Sequence, residues 1–450
     1  MARILLTTRC RDSGLYDYFR ANAPRNFRWR FGMPRRISFG LRFLRQNIPG
    51  ISILEYPTRT EFTASLRQGW DAVGFSFYLE ETNDILDMAR EARTAGISQL
   101  WAGNYGALTP AIHSTFDRIF SSYSEEEVAR HLGASLDEIQ HPPLITEFRF
   151  PGGWSIPVGV LFSSRGCSFR CTFCQTTAFA PHPKPISLDS LDRVLRFYTQ
   201  HGVHFVLMLD ENFGNLPSHA ETVIELLARH RVRWLVQSRV DLFLRNFDRW
   251  QKCGMEGALF GIESFHQEIL KQMHKNEKVQ AAFELAARLN RAGLYAQGYY
   301  IIGLPSETPE SIAEDLRTLA SLELDTTQIT IVTPHPQTEM WRDLESNYGI
   351  FEKNWSRFDT KHLVWNHPHC AASVLEGLLE QGFRNCYEGN WLRRTMKKFV
   401  IRRWLDRDLA GVPWGPISAR LAAPHRLPFL PAPPRVGAPV PSERVHVASA

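Results

Sequence analysis

Three cysteines constrain this chain more than any other feature. In the stretch SSRGCSFRCTFCQTT, Cys167, Cys171 and Cys174 follow one another with the spacing C-x3-C-x2-C. Three thiolates this close in sequence can hold three corners of a [4Fe–4S] cubane. No fourth cysteine follows at a ferredoxin spacing, so one iron would stay open. The alternatives are a structural zinc site, which favours paired C-x2-C motifs, or loop cysteines without a metal.

The cysteine spacing, with the aromatic Phe173 directly before the last cysteine, resembles the signature of the radical S-adenosylmethionine (SAM) superfamily. The resemblance implies that SAM chelates the open iron through its amino and carboxylate groups. It implies that one electron then splits SAM into methionine and a 5'-deoxyadenosyl radical, and that a donor such as flavodoxin or ferredoxin supplies this electron. The protein would hold SAM, place a substrate C–H bond beside the 5' carbon and exclude water.

Length, charge and the remaining cysteines limit the class of protein. A chain of 450 residues with 44% hydrophobic residues predicts two or three folded domains. A net charge of +5 is too small for this length to indicate a nucleic-acid partner. Cys10, Cys253, Cys370 and Cys386 are scattered without a disulfide framework, which indicates a reducing compartment. Without a recognisable signal peptide or an apolar stretch of spanning length, we expect a cytoplasmic protein.

Residues 1–140 are predicted to form an α/β domain of the Rossmann-like, doubly wound type. The apolar runs ARILLTT, WDAVGFSFY and SQLWAGN predict buried strands. The amphipathic stretch ETNDILDMAREARTAG predicts a helix that ends at Gly96. Strands that alternate with helices form a parallel sheet, whose ligands bind beyond the carboxyl ends of the strands.

The order of these elements resembles the cobalamin-binding domain that precedes the catalytic domain in one branch of the radical SAM superfamily. In that domain a Ser after one strand and a Gly-Gly turn after the next border the corrinoid. Ser76 and Gly103 stand at these places, Ala102 and Asn104 leave the glycine pair incomplete, and Glu125 matches one acid of a later turn. The D-x-H-x-x-G loop of other cobalamin proteins is absent after the first strand. Two alternatives stay open: the domain binds cobalamin, or it kept the fold and shapes the substrate cavity without a corrinoid.

An arginine-rich segment, residues 24–50, lies within this domain. Its guanidinium groups could grip an anionic substrate or a cofactor phosphate, because Arg presents a planar fork of donors. The commoner interpretation is a solvated surface insert. The arginines are Arg25, Arg28, Arg30, Arg35, Arg36, Arg42 and Arg45.

Residues 150–345 are predicted to form a partial (β/α)6 radical SAM barrel. Five runs after the cysteines predict strands: HFVLMLDENF, RWLVQSRVD, GALFGIES, YAQGYYIIGLP and TQITIVTPHP. Helices are predicted to begin at a cap on Asp189, at a capping box of Ser218 with Glu221, and at Thr308 before Pro309. The active site of such a barrel lies at the carboxyl-terminal mouth of its strands.

Candidate site residues therefore follow the strands. The resemblance implies that Asp210 and Glu211 meet the amino group of SAM and that Glu263 contacts the SAM ribose or the substrate. Arg239 could clamp the SAM carboxylate, and the segment GLPSET is similar to the one that lies along the adenine. The alternative for each acid is to cap the following helix. His335 faces the substrate or is a satisfied structural residue.

The C-terminal part is predicted to be a helical cover over residues 346–411, followed by a Pro- and Ala-rich disordered tail over residues 412–450. One helix has an apolar side and a basic side. It packs on the barrel bottom or, as the less common alternative, lies on an anionic membrane. Its apolar residues are Trp391, Leu392, Met396, Phe399 and Val400.

These features predict a radical SAM enzyme that modifies an unactivated carbon of a small molecule. With cobalamin, the resemblance implies methyl transfer, in which one SAM remethylates cob(I)alamin and another forms the radical. Without it, we expect ring formation, rearrangement or oxidation. Transfer RNA methylthiolation would require three further cysteines in the N-terminal domain, where Cys10 stands alone. A non-catalytic iron–sulfur protein is disfavoured by the strand-end acids Glu211 and Glu263.

Overall fold

Two parallel sheets organise the computed structural model of the chain, which describes residues 3–13, 37–149, 155–388, 391–396 and 398. The first sheet, called here the N-terminal sheet, has the order β2-β1-β3-β4-β5 within these residues. All of its pairs are parallel. The chain builds outward from β1 in both directions, which is the order of a doubly wound fold. The strands are β1 Ile4–Thr7, β2 Ile51–Leu54, β3 Ala72–Ser76, β4 Gln99–Gly103 and β5 Arg118–Ile119.

Helices cover both faces of the N-terminal sheet, as the alternating pattern predicts. The four helices are α1 Phe39–Asn47, α2 Arg59–Leu66, α3 Thr82–Thr94 and α4 Glu125–His131. Single 3-10 turns lie at Arg11–Ser13, Leu79–Glu81, Tyr105–Leu108 and Pro110–Ile112. Apolar side chains of α2 and α3 pack on one face around Phe75, and those of α1 and α4 pack on the other around Trp101. The three predicted strands are confirmed, whereas β2, α1 and α2 were missed.

Arg42 shows why the arginine-rich segment was misinterpreted. The Arg42 side chain is 7% exposed and pairs with Glu55, with Nη2 2.7 Å from Oε2. Its Nε lies 2.9 Å from Oε1 of the same carboxylate. The solvated-insert interpretation is therefore wrong at this position, because the guanidinium ties α1 to the segment after β2. The arginines from Arg25 to Arg36 lie outside the described residues.

The second sheet is an open barrel with the described order β14-β13-β12-β11-β10-β7-β6. Six of its strands are parallel neighbours, and β6 joins β7 as an antiparallel edge. This confirms the partial (β/α)6 barrel. The strands are β6 Ile145–Arg149, β7 Ser155–Leu161, β10 Phe205–Met208, β11 Arg233–Ser238, β12 Met255–Glu263, β13 Tyr295–Ile302 and β14 Thr326–Ile331, and a separate two-stranded ribbon consists of β8 Ser164–Arg165 and β9 Lys184–Pro185.

Helices surround the barrel, and apolar residues from alternate strand positions fill its lower interior. The interior group includes Val158, Phe205, Leu207, Leu235 and Leu259. Because this layer closes the bottom, space for a ligand is left at the carboxyl ends of the strands. The helices are α5 Thr176–Phe179, α6 Leu188–Gln200, α7 Pro217–Arg229, α8 Val240–Lys252, α9 Gln267–Gln272, α10 Val279–Ala292, α11 Pro309–Ser321 and α12 Glu339–Asn347.

Only one of the three predicted helix starts is confirmed. Thr308 caps α11 and its side chain accepts from the Ser311 N–H, with Pro309 at the first helical position. Helix α6 instead begins after Ser187, so Asp189 lies inside its first turn. Helix α7 begins at Pro217, whose fixed φ starts the helix before Ser218 can cap it. Glu221 consequently pairs with Arg249 rather than with a backbone N–H.

The C-terminal helices pack on the barrel. Helix α13 (Ala372–Tyr387) lies against α11 and β14. Helix α14 (Trp391–Met396) follows, and the Trp391 indole donates to the backbone oxygen of Asp325, which precedes β14 at the bottom of the barrel. Lys398 Nζ lies 2.9 Å from Asp325 Oδ2. Arg394 and Lys398 thus contact the barrel, while the side chains of Leu392 and Met396 and all of Phe399, Val400 and residues 412–450 lie outside the described residues. No described helix combines the length and the apolar character that a membrane crossing needs.

Candidate active site

A cavity of about 450 Å³, called here the barrel cavity, opens at the carboxyl ends of the barrel strands. Its walls come from the cysteine loop on one side and from the ends of β10 to β14 on the other. Most of the residues predicted from the sequence meet here. They are Cys167, Cys171, Phe173, Cys174, Glu211, Arg239, Glu263 and His335.

The cysteines sit on the cluster loop, residues 163–176, which backbone contacts fix on both sides. The Cys167 N–H donates to the Ala180 oxygen at 3.0 Å, and the Thr172 N–H donates to the Met273 oxygen at 3.1 Å. Gly166 has φ +86, and a Cβ there would lie 2.7 Å from the Ala180 oxygen. Glycine is therefore required immediately before the first cysteine.

The three thiols do not converge on a site for one shared metal ion. Among the described residues, no three His, Cys, Asp or Glu side chains gather closely enough to hold a single metal ion. Corner thiolates of a cubane each bind a different iron, so they need not converge on one point. Burial raises the pKa of all three thiols, and that of Cys171 to about 11, against the opposing charges of Lys275 and Arg239. Iron binding would displace the thiol protons.

Asp210 supports the cluster loop and does not line the barrel cavity. Its side chain is 1% exposed, and its carboxylate accepts hydrogen bonds from the backbone N–H and the hydroxyl of both Ser163 and Ser164 at 2.6 to 2.8 Å. Both oxygens are occupied, so the structure separates Asp210 from the SAM-contacting set that the sequence predicts. Its neighbour Glu211 does line the cavity.

Glu211 is held by two donors from different parts of the fold. One oxygen accepts a hydrogen bond from the Tyr123 hydroxyl. The other accepts from the Gly166 N–H at 2.8 Å. Burial raises the pKa of Glu211, and the two hydrogen bonds oppose this shift. The carboxylate is thus fixed beside the cluster loop.

A buried charge network lies beside Cys171. Lys275 Nζ is 3.0 Å from Glu263 Oε1 and 3.5 Å from Glu277 Oε2. Arg239 lies 3.5 Å from Glu277 and donates to the Lys275 oxygen at 2.6 Å. Burial lowers the pKa of Lys275, but the two carboxylates more than offset this, so its pKa lies above the usual value. This wall therefore contains two cations and two acids. Lys275, Arg239 and Glu263 line the cavity, and Glu277 supports the two cations.

Glu263 ends β12 in a conformation that few non-glycine residues adopt. Its φ is +64, and the register between β12 and β13 shifts between Gly261 and Glu263. Left-handed residues at strand ends are uncommon and concentrate at functional sites. The turn folds the Glu263 carboxylate back over Gly261 toward Lys275.

Another part of the wall of the barrel cavity is polar but uncharged. It includes Gln237, Tyr299, Gln328, Thr330 and His335. Burial lowers the pKa of His335 to about 4, so its imidazole is neutral at physiological pH. Its buried Nδ1 has no hydrogen-bond partner among the described residues. This wall offers neutral donors and acceptors to a ligand.

A second, smaller cavity of about 70 Å³, called here the N-terminal cavity, opens at the carboxyl edge of the N-terminal sheet. Ser76 and Gly103 both line it, as the predicted corrinoid site requires. Trp101 lines it too, and its buried Nε1 has no hydrogen-bond partner in the described part of the chain. Asn104 has φ 70 and ψ −173, a conformation used almost entirely by glycine. The backbone thus keeps the turn of a glycine pair although the second glycine is replaced.

Comparison with known protein families decides the class. Residues 161–319 match the family described as the radical SAM superfamily, and the three cysteines fall within this match. Residues 161–319 therefore form a radical SAM domain. The match covers the strand-end residues Glu211, Arg239 and Glu263 as well.

Curated relatives of this chain include methyltransferases. The chain is 28% identical over 273 residues to an uncharacterized methyltransferase of Pyrococcus horikoshii, covering 58% of each chain. It is 25% identical over 296 residues to the anaerobic magnesium-protoporphyrin IX monomethyl ester cyclase of Cereibacter sphaeroides, covering 58% of this chain and 47% of the relative. The chain thus spans about half the length of these two relatives.

Solved radical SAM structures share the fold. The methyltransferase TsrM from Kitasatospora setae, with cobalamin and a [4Fe–4S] cluster bound, superposes with a TM-score of 0.57 at 14% identity, over 77% of this chain and 78% of TsrM. The cobalamin-dependent radical enzyme OxsB, with aqua-cobalamin and SAM bound, gives 0.55 at 14% identity, over 90% of this chain and 73% of OxsB. At these identities the similarity establishes the architecture of an N-terminal α/β unit before a radical SAM barrel.

The N-terminal unit of this chain contacts the cluster loop directly. Arg165, two residues before the first cysteine, pairs with Glu125 at 2.8 Å, and both side chains are buried. The Tyr105 hydroxyl lies 3.2 Å from the Thr176 hydroxyl, and its ring centroid is 4.4 Å from that of Phe179. The contacts hold the loop from the side opposite the barrel strands.

Sequence reasoning missed three residues of this site. Lys275 follows a short helix rather than a strand, and Tyr123 and Arg165 act across the interface between the two units. The acid-rich stretch after Tyr123 gave one usable signal, because Glu125 matched a family position. Arg165, which pairs with Glu125, lies inside the cysteine motif but was not predicted to be a site residue.

Proposed function

We propose that this chain is a radical SAM enzyme that modifies an unactivated carbon of a small-molecule substrate. The observation that carries the proposal is a single cavity shared by three thiols, Glu211, Arg239 and Glu263. A [4Fe–4S] cluster with SAM supplies, when bound, a 5'-deoxyadenosyl radical that removes a substrate hydrogen atom.

Two parts of the barrel-cavity wall would have separate roles, one in binding SAM and one in binding the substrate. Cys167, Cys171 and Cys174, which line the barrel cavity, would hold three irons of the cluster and leave the fourth for SAM. On the charged wall, Glu211 and Arg239 suit the amino and carboxylate groups of SAM, because each presents the complementary charge. The uncharged wall around His335 suits a substrate with neutral polar groups.

We further propose that the reaction is C-methylation with cobalamin as methyl carrier. Ser76, Gly103 and Trp101 line the largely apolar N-terminal cavity and would border one edge of the corrinoid, since about 70 Å³ is too small to enclose it. A relative described as a methyltransferase and two solved cobalamin-dependent enzymes of the same fold support this choice.

The second candidate is corrinoid-free radical chemistry, such as rearrangement or oxidation. One observation favours it: the two cavities share none of their described lining residues. Tyr105 and Phe179 pack together beside the N-terminal cavity, where the two units meet. A cytoplasmic location and an electron donor such as flavodoxin or ferredoxin stay predictions under either candidate.

The experiment is anaerobic reconstitution with iron and sulfide, followed by SAM and dithionite. We expect 5'-deoxyadenosine from the wild-type protein and none from Cys174→Ala, which loses one cluster ligand. Cys253→Ala is the matched control, because Cys253 is buried against the helices outside the barrel cavity. Equal turnover by Cys174→Ala would overturn the proposal.

Corrinoid retention separates the two candidates. Protein incubated with hydroxocobalamin is passed through gel filtration, and the corrinoid absorbance of the protein fraction is measured. We expect retention by the wild-type protein and loss in Gly103→Leu, which fills the N-terminal cavity. 5'-Deoxyadenosine formation without any corrinoid retention would favour the corrinoid-free candidate.

A further inference from the structure

The side chain of Tyr123 reaches from one cavity toward the other. Tyr123 lines the N-terminal cavity. Its hydroxyl donates a hydrogen bond to Glu211 Oε1, and Glu211 lines the barrel cavity. A residue of the N-terminal unit therefore touches a carboxylate of the barrel cavity directly.

The Tyr123 ring is held from two sides. It meets Phe179 edge to face, with centroids 5.2 Å apart. On its other side the Arg165 guanidinium lies 4.5 Å from the ring centroid. Edge-to-face and cation–π contacts fix the direction of a ring. The hydroxyl is thus aimed by contacts that do not involve Glu211.

Arg165 is itself immobilised, which makes this arrangement rigid. Its guanidinium also lies 3.7 Å from the Phe43 centroid and pairs with Glu125. Phe43 belongs to α1 and Glu125 begins α4. Two helices of the N-terminal unit therefore determine where the Tyr123 hydroxyl lies.

Glu211 depends on this hydroxyl for its orientation. Its two oxygens have one named donor each, Tyr123 and the Gly166 N–H. Without the hydroxyl the carboxylate loses the one named hydrogen bond that comes from the N-terminal unit, so its orientation is less constrained. A hydrogen bond to a charged acceptor is among the stronger ones in proteins.

We propose that Tyr123 is a positioning residue, through which the N-terminal unit holds Glu211 in the orientation that binds SAM. The inference rests on the proposed function, in which Glu211 contacts SAM. It assigns the N-terminal unit a part in SAM binding whether or not that unit carries a corrinoid.

The test compares Tyr123→Phe with Tyr198→Phe in the full-length, reconstituted protein. Both variants keep the ring and lose one buried hydroxyl, but the Tyr198 hydroxyl donates to the backbone oxygens of Leu144 and Val160 and lines neither cavity. The measurements are kcat and KM for SAM in 5'-deoxyadenosine formation, the iron content, and the change that SAM causes in the electron paramagnetic resonance spectrum of the reduced cluster.

We expect Tyr123→Phe to raise KM for SAM about tenfold or more, the factor for a hydrogen bond to a charged group, at normal iron content. Tyr198→Phe should keep the wild-type KM. In the Glu211→Gln background, Tyr123→Phe should add little, because the two residues act as one unit.

Three results would overturn the proposal: a wild-type KM and spectrum in Tyr123→Phe, an equal loss of iron in both variants, or full additivity with Glu211→Gln. Failure of the proposed function has a different signature. In that case the wild-type protein itself forms no 5'-deoxyadenosine, whatever stands at position 123.

Discussion

Lys275 and Glu263 form an ion pair inside the barrel cavity, with Nζ 3.0 Å from Oε1 and side chains that are 6% and 9% exposed. Desolvating two charges is costly, and an apolar pair of similar volume is often as stable. Glu263 also adopts a left-handed backbone conformation. Two unfavourable features at one strand end, beside a cluster thiol, indicate a position kept for function rather than for stability.

Gly261→Ala tests whether this pair must be folded back over β12. A Cβ at position 261 would overlap the Glu263 carboxylate and lie 2.6 Å from Lys275 Nζ. We expect a loss of about 1–3 kcal/mol in the free energy of unfolding, typical of overpacking, together with reduced 5'-deoxyadenosine formation. Thermal unfolding and product analysis measure the two effects.

The control for this variant is Gly377→Ala. Gly377 lies in helix α13, and nothing stands within 4 Å of a Cβ there. This change should stabilise the protein by about 0.5–1 kcal/mol, because alanine is the better helix former. If both alanine variants behaved alike, the close packing at Gly261 would be without consequence.

Asp210→Asn tests whether Asp210 supports the cluster loop or contacts SAM. The amide has one acceptor oxygen, while four donors from Ser163 and Ser164 surround the carboxylate. We expect unsatisfied buried donors to cost about 1–3 kcal/mol and cluster content to fall, as measured by iron analysis. The KM for SAM of the molecules that keep a cluster should not change.

The exposed Asp189, in the first turn of α6, supplies the control Asp189→Asn, which should retain full iron content. A raised KM for SAM in Asp210→Asn at full iron content would instead favour the contact with the SAM amino group that the sequence predicts.

The sequence predicts the barrel and most of its cavity, because parallel strands bring their carboxyl ends to one edge. Glu211, Arg239 and Glu263 could be placed by this rule alone. Lys275 could not, since it enters the cavity through a turn in which His274 and Asn276, on either side of it, have φ 54 and 53. No periodic pattern encodes such a turn. Tyr123 could not be predicted for a different reason. Its partner Glu211 is 88 residues further along the chain and follows strand β10 of the barrel.

Acid should weaken the fold through His141. Its Nε2 accepts the Phe162 N–H at 3.0 Å and its Nδ1 lies 2.6 Å from the Pro142 oxygen, so the neutral ring uses both nitrogens. Burial lowers its pKa from 6.5 to about 3. Between these values the unfolded chain binds the extra proton. Stability is therefore complete above pH 6.5 and falls as the pH drops, by up to about 1.4 kcal/mol per pH unit.

This effect is measured by thermal unfolding between about pH 5 and pH 7.5, which is roughly the range in which histidine titrates. The proteins compared are the wild type, His141→Gln and His113→Gln. We expect a flatter pH dependence in His141→Gln, although the variant is less stable at neutral pH. His113 is exposed, so its replacement should leave the slope unchanged. Parallel slopes in all three proteins would contradict the assignment to His141.

Asn104→Gly tests whether the turn beside the N-terminal cavity has kept the shape of a glycine pair. Asn104 holds φ 70 and ψ −173 directly after Gly103, and such a conformation costs a non-glycine residue about 1–3 kcal/mol. Glycine there should raise the unfolding temperature, and it should increase corrinoid retention if the turn borders that cofactor. Asn276→Gly is the control, because its φ of 53 lies where asparagine is tolerated, and a smaller gain is expected. A destabilised Asn104→Gly would show that the asparagine side chain contributes more than its backbone strain costs.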